Sequence, residues 1–110
     1  MIGAGQLDRR IQFRRSQASD DGFSTVEAWA DHGKAVWASR RDVSDRERQL
    51  SGQIGAVLMT RFVVRWSSFS SDITPKDRLI CEGREFDILG IKEQGRRTFL
   101  EITAQARADR

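Results

Sequence analysis

Hydrophobic and polar residues alternate along several short stretches of this chain, which is the period of a half-buried β-strand. In the first stretch, 8–15, Ile11 and Phe13 alternate with polar neighbours, and the clearest example is 58–66. Turn-forming residues separate the stretches. The pattern predicts strands at 8–15, 26–29, 34–41, 58–66, 78–81, 85–91 and 98–104.

The segment between the third and fourth predicted strands has a different pattern. Ser44 and Glu47 have the spacing of a capping box, in which each side chain bonds a backbone amide at the start of a helix. Apolar residues then follow at helical spacing. We therefore predict one short helix from about 44 to 56, after the third strand.

The order of these elements indicates the fold class. Seven short strands with one inserted helix favour a mainly β fold over a doubly wound α/β fold. Gly83 and Gly95 lie between the last three strands, where hairpin turns need a positive φ. We predict a small antiparallel β-barrel or rolled sheet of about six to seven strands. A length of 110 residues fits one domain, 1–110, with loose arms at 1–7 and 106–110.

Large apolar residues on the predicted inward faces form the expected core. Trp29 fits either the core or a subunit interface, because an aromatic side chain suits both. The predicted core consists of Ile11, Phe13, Trp37, Phe62, Val64, Trp66, Phe86, Ile88, Leu100 and Ile102.

Few residues have the chemistry of a metal or cofactor site. Cys81 is the only cysteine and His32 the only histidine, so neither an internal disulfide nor a zinc site is expected. Adjacent carboxylates at Asp20 and Asp21 supply too few oxygens for calcium. We expect no metal and no cofactor. The first residues also lack the pattern of a secretory signal, and no apolar run is long enough for a membrane span, which indicates a soluble protein of a reducing compartment.

Catalytic motifs are equally sparse. His32 precedes Gly33 in a predicted turn, and no serine or cysteine is tied to it by spacing. Gly3 and Gly5 precede a strand rather than linking a strand to a helix, so they do not form a phosphate-binding loop. The sequence therefore predicts a protein without enzymatic activity.

Positive charge is slight but is carried mainly by arginine. The chain has 19 Lys and Arg against 16 Asp and Glu, for a net charge of +3. Arginine suits bidentate contacts with carboxylates and phosphates, at interfaces and on nucleic-acid surfaces. Neighbouring arginines in a strand point to opposite faces, so paired surface charges are favoured over phosphate contacts. A small nonspecific nucleic-acid-binding barrel remains an alternative, and it would use Arg14, Arg40, Arg41, Arg96 and Arg97.

Several short motifs, taken in order, resemble one known family across nearly the whole chain. They are Gly5-x-Leu7-Asp8-x-Arg10-Ile11-x-Phe13, Asp21-Gly22 before Trp29, Val36-Trp37-Ala38, Arg65-Trp66 with Ile73, Asp77-Arg78-Leu79-Ile80, and Gly83-Arg84-Glu85-Phe86-Asp87-Ile88. The chain resembles the head-tail joining proteins of tailed bacteriophages. These are head-closure or stopper proteins of the phage neck, which also occur in prophages and in phage-derived gene transfer particles.

This resemblance implies a structural virion protein, assembled in the bacterial host cytoplasm and located in the neck. It implies a sixfold or twelvefold ring of identical subunits, with portal and adaptor proteins on the head side, and tail terminator or other tail proteins on the opposite side. Double-stranded DNA would pass through the ring, and no membrane is involved. Another neck or tail-junction component, a terminator or adaptor, is the alternative within the same assembly.

The resemblance also implies roles for particular residues. The segment 40–56 would project toward the channel and help gate it, which makes Arg40, Arg41, Arg46 and Arg48 the DNA-facing candidates. The candidates for subunit or partner interfaces are Trp29, Arg14, Phe69, Arg96 and Arg97.

Overall fold

The computed structural model describes residues 6–20, 22, 25–43 and 59–107. Within this part of the chain, a 3₁₀ turn at Ser70–Asp72 is the longest helical element, and the rest of the regular structure is strand. The helix predicted at 44–56 lies outside the described residues. The strands are β1 (Arg9–Asp20), β2 (Thr25–Asp31), β3 (Val36–Asp42), β4 (Met59–Arg65), β5 (Arg78–Cys81), β6 (Arg84–Gln94) and β7 (Phe99–Ala106).

Six of the strands form a closed antiparallel barrel. Their order is β1-β3-β4-β7-β6-β5, and β5 pairs with β1 to close the sheet. Every neighbouring pair is antiparallel, as hairpins and short connections favour. The seventh strand, β2, pairs only with β1 and lies outside the closed ring of strands. This architecture confirms the predicted mainly β fold and small barrel.

The inner faces of the strands fill the barrel with apolar side chains. Phe62 and Phe86 are fully buried and meet edge to face, with ring centroids 5.2 Å apart. Burying a side chain of this size stabilises the fold by about 1.5–3 kcal/mol. The other predicted core residues with little or no exposure are Ile11, Phe13, Val64, Ile88, Leu100 and Ile102. The interior is thus a packed core rather than a pore.

The prediction of Trp37 as a core residue was wrong. In β3 the adjacent Ala38 is completely buried and lies opposite Val64, so Ala38 takes the inward position. Because successive side chains of a strand alternate between faces, Trp37 points outward and is 52% exposed. The guanidinium of Arg10 lies 4.8 Å from the centre of the Trp37 ring. Trp66 is only partly buried and packs against the edge of the core.

Parts of both predicted loose arms are held to the barrel. Leu7 is buried, with 7% of its surface exposed, and Ala106 is the buried last residue of β7. The amide of Arg107 then donates a hydrogen bond to the carbonyl of Glu85 over 3.0 Å. The remaining arm residues, 1–5 and 108–110, lie outside the described part of the chain.

The strand pairing of β1 gives the molecule a protruding ribbon. Ile11 pairs with Val36 of β3 on one edge and with Cys81 of β5 on the other. Arg14 pairs with Asp31 of β2 and with Arg78 of β5. Because β5 occupies one edge in both cases, β2 and β3 share the opposite edge of β1. Beyond the barrel, 16–20 pairs only with 25–29, and we call this pair of segments the ribbon.

A glycine at the junction of β2 and β3 makes a testable prediction. Gly33 has a φ of +71°, and a Cβ there would overlap the ring of Phe69, which stacks on His32. We expect Gly33→Ala to lower the free energy of unfolding by more than backbone strain alone would lower it. The matched control is Gly83→Ala, where φ is +79° and a Cβ meets nothing within 4 Å.

Urea denaturation of both variants measures the difference. Gly83→Ala should lower the free energy of unfolding by about 1–2 kcal/mol, the cost of a left-handed residue. Gly33→Ala should lose at least about 1 kcal/mol more, because the Phe69 ring must also move. Equal losses would contradict the packing of Phe69 against this turn.

Candidate functional site

An ion-pair cluster closes one end of the barrel. Arg15 points inward from β1 and donates two hydrogen bonds to Asp77, from Nε to Oδ1 and from Nη2 to Oδ2, each 3.0 Å long. Its Nη1 lies 2.9 Å from the Asp72 carboxylate. The amide of Thr74 also donates to Asp77 over 2.9 Å. Asp77 is 3% exposed, so this arrangement satisfies a buried charge.

The environment of Asp77 changes its protonation. Burial raises the pKa of the Asp77 carboxyl, but the hydrogen bonds from Arg15 and Thr74 and the nearby positive charge outweigh burial, so the pKa lies below its ordinary value. His32 lies at the same end, with Nε2 3.4 Å from Oδ2 of Asp72 and its ring stacked on Phe69 at 5.4 Å. Phe69 also meets Phe13 edge to face. Phe69, predicted as an interface residue, is thus partly buried against the core.

A second arginine closes the other end of the barrel. Arg40 of β3 lies opposite Phe62, which points into the core, so Arg40 also points inward. Its side chain is 18% exposed, with Nη1 3.7 Å from Glu82 and Nε 3.5 Å from Asp42. Arg9 also pairs with Glu82, at 3.2 Å. Arg40 was predicted to face DNA, and its inward direction and two carboxylate partners do not fit that role.

One outer wall of the barrel carries several arginines. Arg41 of β3 lies directly opposite Arg61 of β4, on the outward face. Arg65 is exposed at the end of β4, and Arg10 lies beside the exposed Trp37. We call the outward faces of β1, β3 and β4 the basic wall, carrying Arg10, Arg41, Arg61 and Arg65. Asp8 and Glu101 line one depression together with Arg9, Arg40, Arg41 and Arg61, so the two carboxylates offset part of the positive charge there.

The wall formed by β5 and β6 is close to neutral by comparison. Arg78 Nε lies 3.2 Å from Oδ1 of Asp87, and Arg107 Nη1 lies 2.8 Å from the same oxygen. Both arginines also approach Glu85, at 3.8 Å. The charges on this face therefore pair within the chain.

The structure brings two of the predicted interface residues together. Arg14 donates from Nη2 to the carbonyl of Trp29 over 2.8 Å, and its Nη1 lies 3.1 Å from Asp31. The guanidinium of Arg78 lies 3.9 Å from the centre of the Trp29 ring. These contacts fix the base of the ribbon on the barrel.

The other predicted pair lies elsewhere, in the turn between β6 and β7. Arg97 has a φ of 55°, and its amide donates to the Glu93 carboxylate over 3.0 Å. Its guanidinium lies 5.2 Å from the Trp66 ring. Arg96 is exposed in the same turn. This turn is therefore separate in sequence and strand position from the ribbon.

Sequence reasoning missed most of the basic wall. Arg46 and Arg48 lie outside the described residues, and Arg40 points inward, so Arg41 is the remaining DNA-facing candidate on the described wall. Arg10, Arg61 and Arg65 were not predicted as a site. Arg61 and Arg65 are separated by an even number of positions in the alternating stretch 58–66, which places them on one face. What the sequence could not supply was the pairing that places Arg41 opposite Arg61.

The described residues contain neither a cluster of metal ligands nor a helix suited to a membrane. No group of three or more His, Cys, Asp or Glu side chains in 6–20, 22, 25–43 and 59–107 is arranged to hold a metal ion. Over the same ranges, no helix has the length and apolar character that a membrane span requires.

Known proteins resemble this chain in sequence and in fold. The solution structure of protein SF1141 from Shigella flexneri 2a superimposes with a TM-score of 0.80 at 28% identity, covering 99% of this chain and 100% of that one. A chain from the virion of a native gene transfer agent particle has a TM-score of 0.65 at 23% identity, covering 90% of this chain and 93% of that one. The comparison with curated protein sequences found no match. The family model for the phage head completion protein matches residues 2–107, and the chain therefore belongs to that family.

Proposed function

We propose that this protein is a noncatalytic ring subunit of the neck, joining the DNA-filled head of a phage-like particle to its tail. The observation that carries this proposal is the match of the head completion family model to residues 2–107. A structural neighbour that is part of a gene transfer agent virion supports it. The portal or adaptor would contact one side of the ring, and tail proteins the other.

The packed barrel bears on how such a subunit would handle DNA. Phe13, Phe62 and Phe86 are fully buried in the interior, and ion pairs around Arg15 and Arg40 close its two ends. DNA therefore has no path through one subunit. In a ring, the channel would lie on the symmetry axis and be lined by outer surfaces of the subunits.

The basic wall is the surface best suited to line that channel. It carries the outward arginines Arg10, Arg41, Arg61 and Arg65, whereas the β5–β6 wall carries Glu85 and Asp87 beside Arg78 and Arg107, so its net charge is lower. Asp8 and Glu101 beside Arg41 and Arg61 would keep the attraction for phosphate weak. Weak attraction suits a conduit, because each tight phosphate contact slows the passage of DNA.

Electron microscopy of particles assembled by the bacterial host tests this location. A reconstruction in which the barrel forms a ring between portal and tail is the expected result. Density in the capsid shell, or particles that lack the chain, would overturn the proposal. A ring at the end of the tail tube would instead identify a terminator.

A salt titration tests the assignment of the basic wall. We expect Arg41→Gln with Arg61→Gln to reduce the slope of log affinity against log salt by about 2 for a short duplex, since each phosphate contact contributes about 0.9. Arg78→Gln with Arg107→Gln is the control, because it removes the same charge from the opposite wall. That control should have the same slope of log affinity against log salt as the unmutated protein. Equal slopes in the two double variants would contradict the assignment.

The same titration addresses the rival function of a monomeric nucleic-acid-binding barrel. Such a barrel would hold duplex at moderate salt with a steep slope. The arginines predicted for that role are largely engaged within the chain: Arg14 with Asp31, Arg40 with Glu82, and Arg97 over Trp66. These contacts favour the neck subunit over the rival.

A further inference from the structure

The ribbon has two strand edges that pair with no other strand among the described residues. Closure of β1, β3, β4, β7, β6 and β5 gives each barrel strand two neighbours, and the part of β6 that pairs only with β7, 88–94, carries Lys92 and the register shift between Ile88 and Gly90, which shield its edge. Within the described residues, the ribbon differs. Its segment 25–29 pairs only with β1, and its segment 17–20 pairs only with β2, so each has one edge without a strand partner.

These two edges carry little of the usual protection against pairing. Edge strands are commonly shielded by charged residues, above all lysine, by proline or by a bulge. The segments 17–20 and 25–29 have one charged residue each, Asp20 and Glu27, but neither contains lysine or proline, and the register between them is continuous. An isolated two-stranded ribbon is also only marginally stable in water, whereas three or more strands support one another. A further strand paired with the ribbon would therefore stabilise it.

The base of the ribbon is fixed in a way that sets its direction. The guanidinium of Arg78 in the barrel lies 3.9 Å from the centre of the Trp29 ring. Arg14 forms an ion pair with Asp31 and donates a hydrogen bond to the Trp29 carbonyl. A partner strand would meet edges that are already oriented. Such preorganisation reduces the ordering cost of association.

The geometry points to strand addition between copies of this chain: the free edge of β2 in one subunit pairs with the free edge of β1, at 17–20, in the next. The two edges are different surfaces, so the contact is head to tail, and a head-to-tail contact can close into a ring. This inference rests on the ring subunit proposed above and names the surface that joins its members.

Cyclic symmetry also fixes the strand direction where the ribbons run along the ring axis. Rotation about that axis leaves every ribbon pointing the same way, so β1 of the next subunit is parallel to β1 of the first. Since β2 is antiparallel to β1 within a subunit, β2 is antiparallel to the neighbour's β1 as well. The ribbons would then form one continuous antiparallel sheet around the ring.

Cysteine cross-linking in assembled particles tests this arrangement. Ala18→Cys and Glu27→Cys place single exposed thiols on β1 and β2, respectively, on one face of the sheet, and Gln17→Cys and Ala28→Cys repeat the test on the other face. Hosts that assemble the particles would supply two variants together, and a short bismaleimide would join nearby thiols. Native Cys81 can stay, because it is fully buried and burial raises the pKa of its thiol.

The expected result is a higher yield of covalent dimer when the β1 variant and the β2 variant of one face are mixed than from either variant alone, because the mixed thiols lie on adjacent strands whereas identical thiols lie two strands, about 9.6 Å, apart. The outcome that overturns the inference is a chain present in particles whose dimer yield from the mixture does not exceed the yield from one variant alone, or that gives no dimers. Particles that lack the unmutated chain would instead overturn the ring proposal, and this inference with it. Leu89→Cys, exposed on β6 outside the ribbon, is the control for thiol reactivity, and thermal melting verifies the fold of each variant.

Discussion

Replacing Phe62 with alanine is expected to lower the free energy of unfolding by about 3–5 kcal/mol. The Phe62 side chain is completely buried at the centre of the barrel and meets the Phe86 ring edge to face at 5.2 Å. Alanine loses the transfer free energy of the ring and leaves a cavity that neighbouring strands cannot fill. Small domains are stable by about 5–15 kcal/mol, so this loss consumes a large share. Guanidinium denaturation followed by tryptophan fluorescence measures it.

The matched control for this variant is Leu89→Ala. Leu89 is 45% exposed on β6, next to the register shift between Ile88 and Gly90. Removing a side chain that is already half in water should change stability by no more than about 0.5 kcal/mol. If Phe62→Ala cost less than about 1 kcal/mol with an unchanged denaturant slope, the barrel would not have the packed interior described above.

Local pattern predicted most of the barrel because each strand carries its own signal. In β7, positions 100, 102, 104 and 106 are all buried and the intervening positions are not, which is the alternation seen in the sequence. Glycines at Gly83 and Gly95 have the positive φ that the predicted hairpin turns require. These features depend on neighbours in sequence, so a single chain suffices to find them.

The local pattern left open which residues of β3 point into the barrel, and pairing with strands distant in sequence decides it. Trp37 and Ala38 are both apolar, and only the position of Ala38 opposite Val64 shows which of them is inside. Arg40 and Arg41 look equivalent in the sequence, yet one points inward to Glu82 and the other outward beside Arg61. The candidate site was therefore predicted less well than the fold, because it depends on long-range register.

The structure also explains why the arginine-rich composition overstated nucleic-acid binding. Arg15 and Arg40 close the two ends of the barrel with carboxylate partners, and Arg78 is paired on the β5–β6 wall. A bidentate guanidinium suits these positions, since it can satisfy several oxygens from one side chain. Much of the positive charge among the described residues therefore maintains the fold.

Replacing Asp77 with asparagine is expected to lower the free energy of unfolding at neutral pH by about 3 kcal/mol, since breaking a buried ion pair leaves its partner charge poorly satisfied. Asp77 is 3% exposed and accepts two hydrogen bonds from Arg15. Asp72→Asn is the control, because Asp72 pairs with the same arginine but its side chain is 57% exposed. That control should lose no more than about 1 kcal/mol.

The pH dependence of the same two variants identifies the charge as the cause. The pKa of Asp77 is lowered in the folded protein, so its stabilising contribution is complete above the unfolded value of about 3.9 and is lost as the pH falls through the folded pKa. The unmutated protein and Asp72→Asn should both lose stability over this acidic range. Asp77→Asn has no proton to gain at this position, so its stability should fall less steeply there. Parallel curves for all three proteins in urea denaturation between neutral and acidic pH would show that the Asp77 charge does not hold this end of the barrel closed.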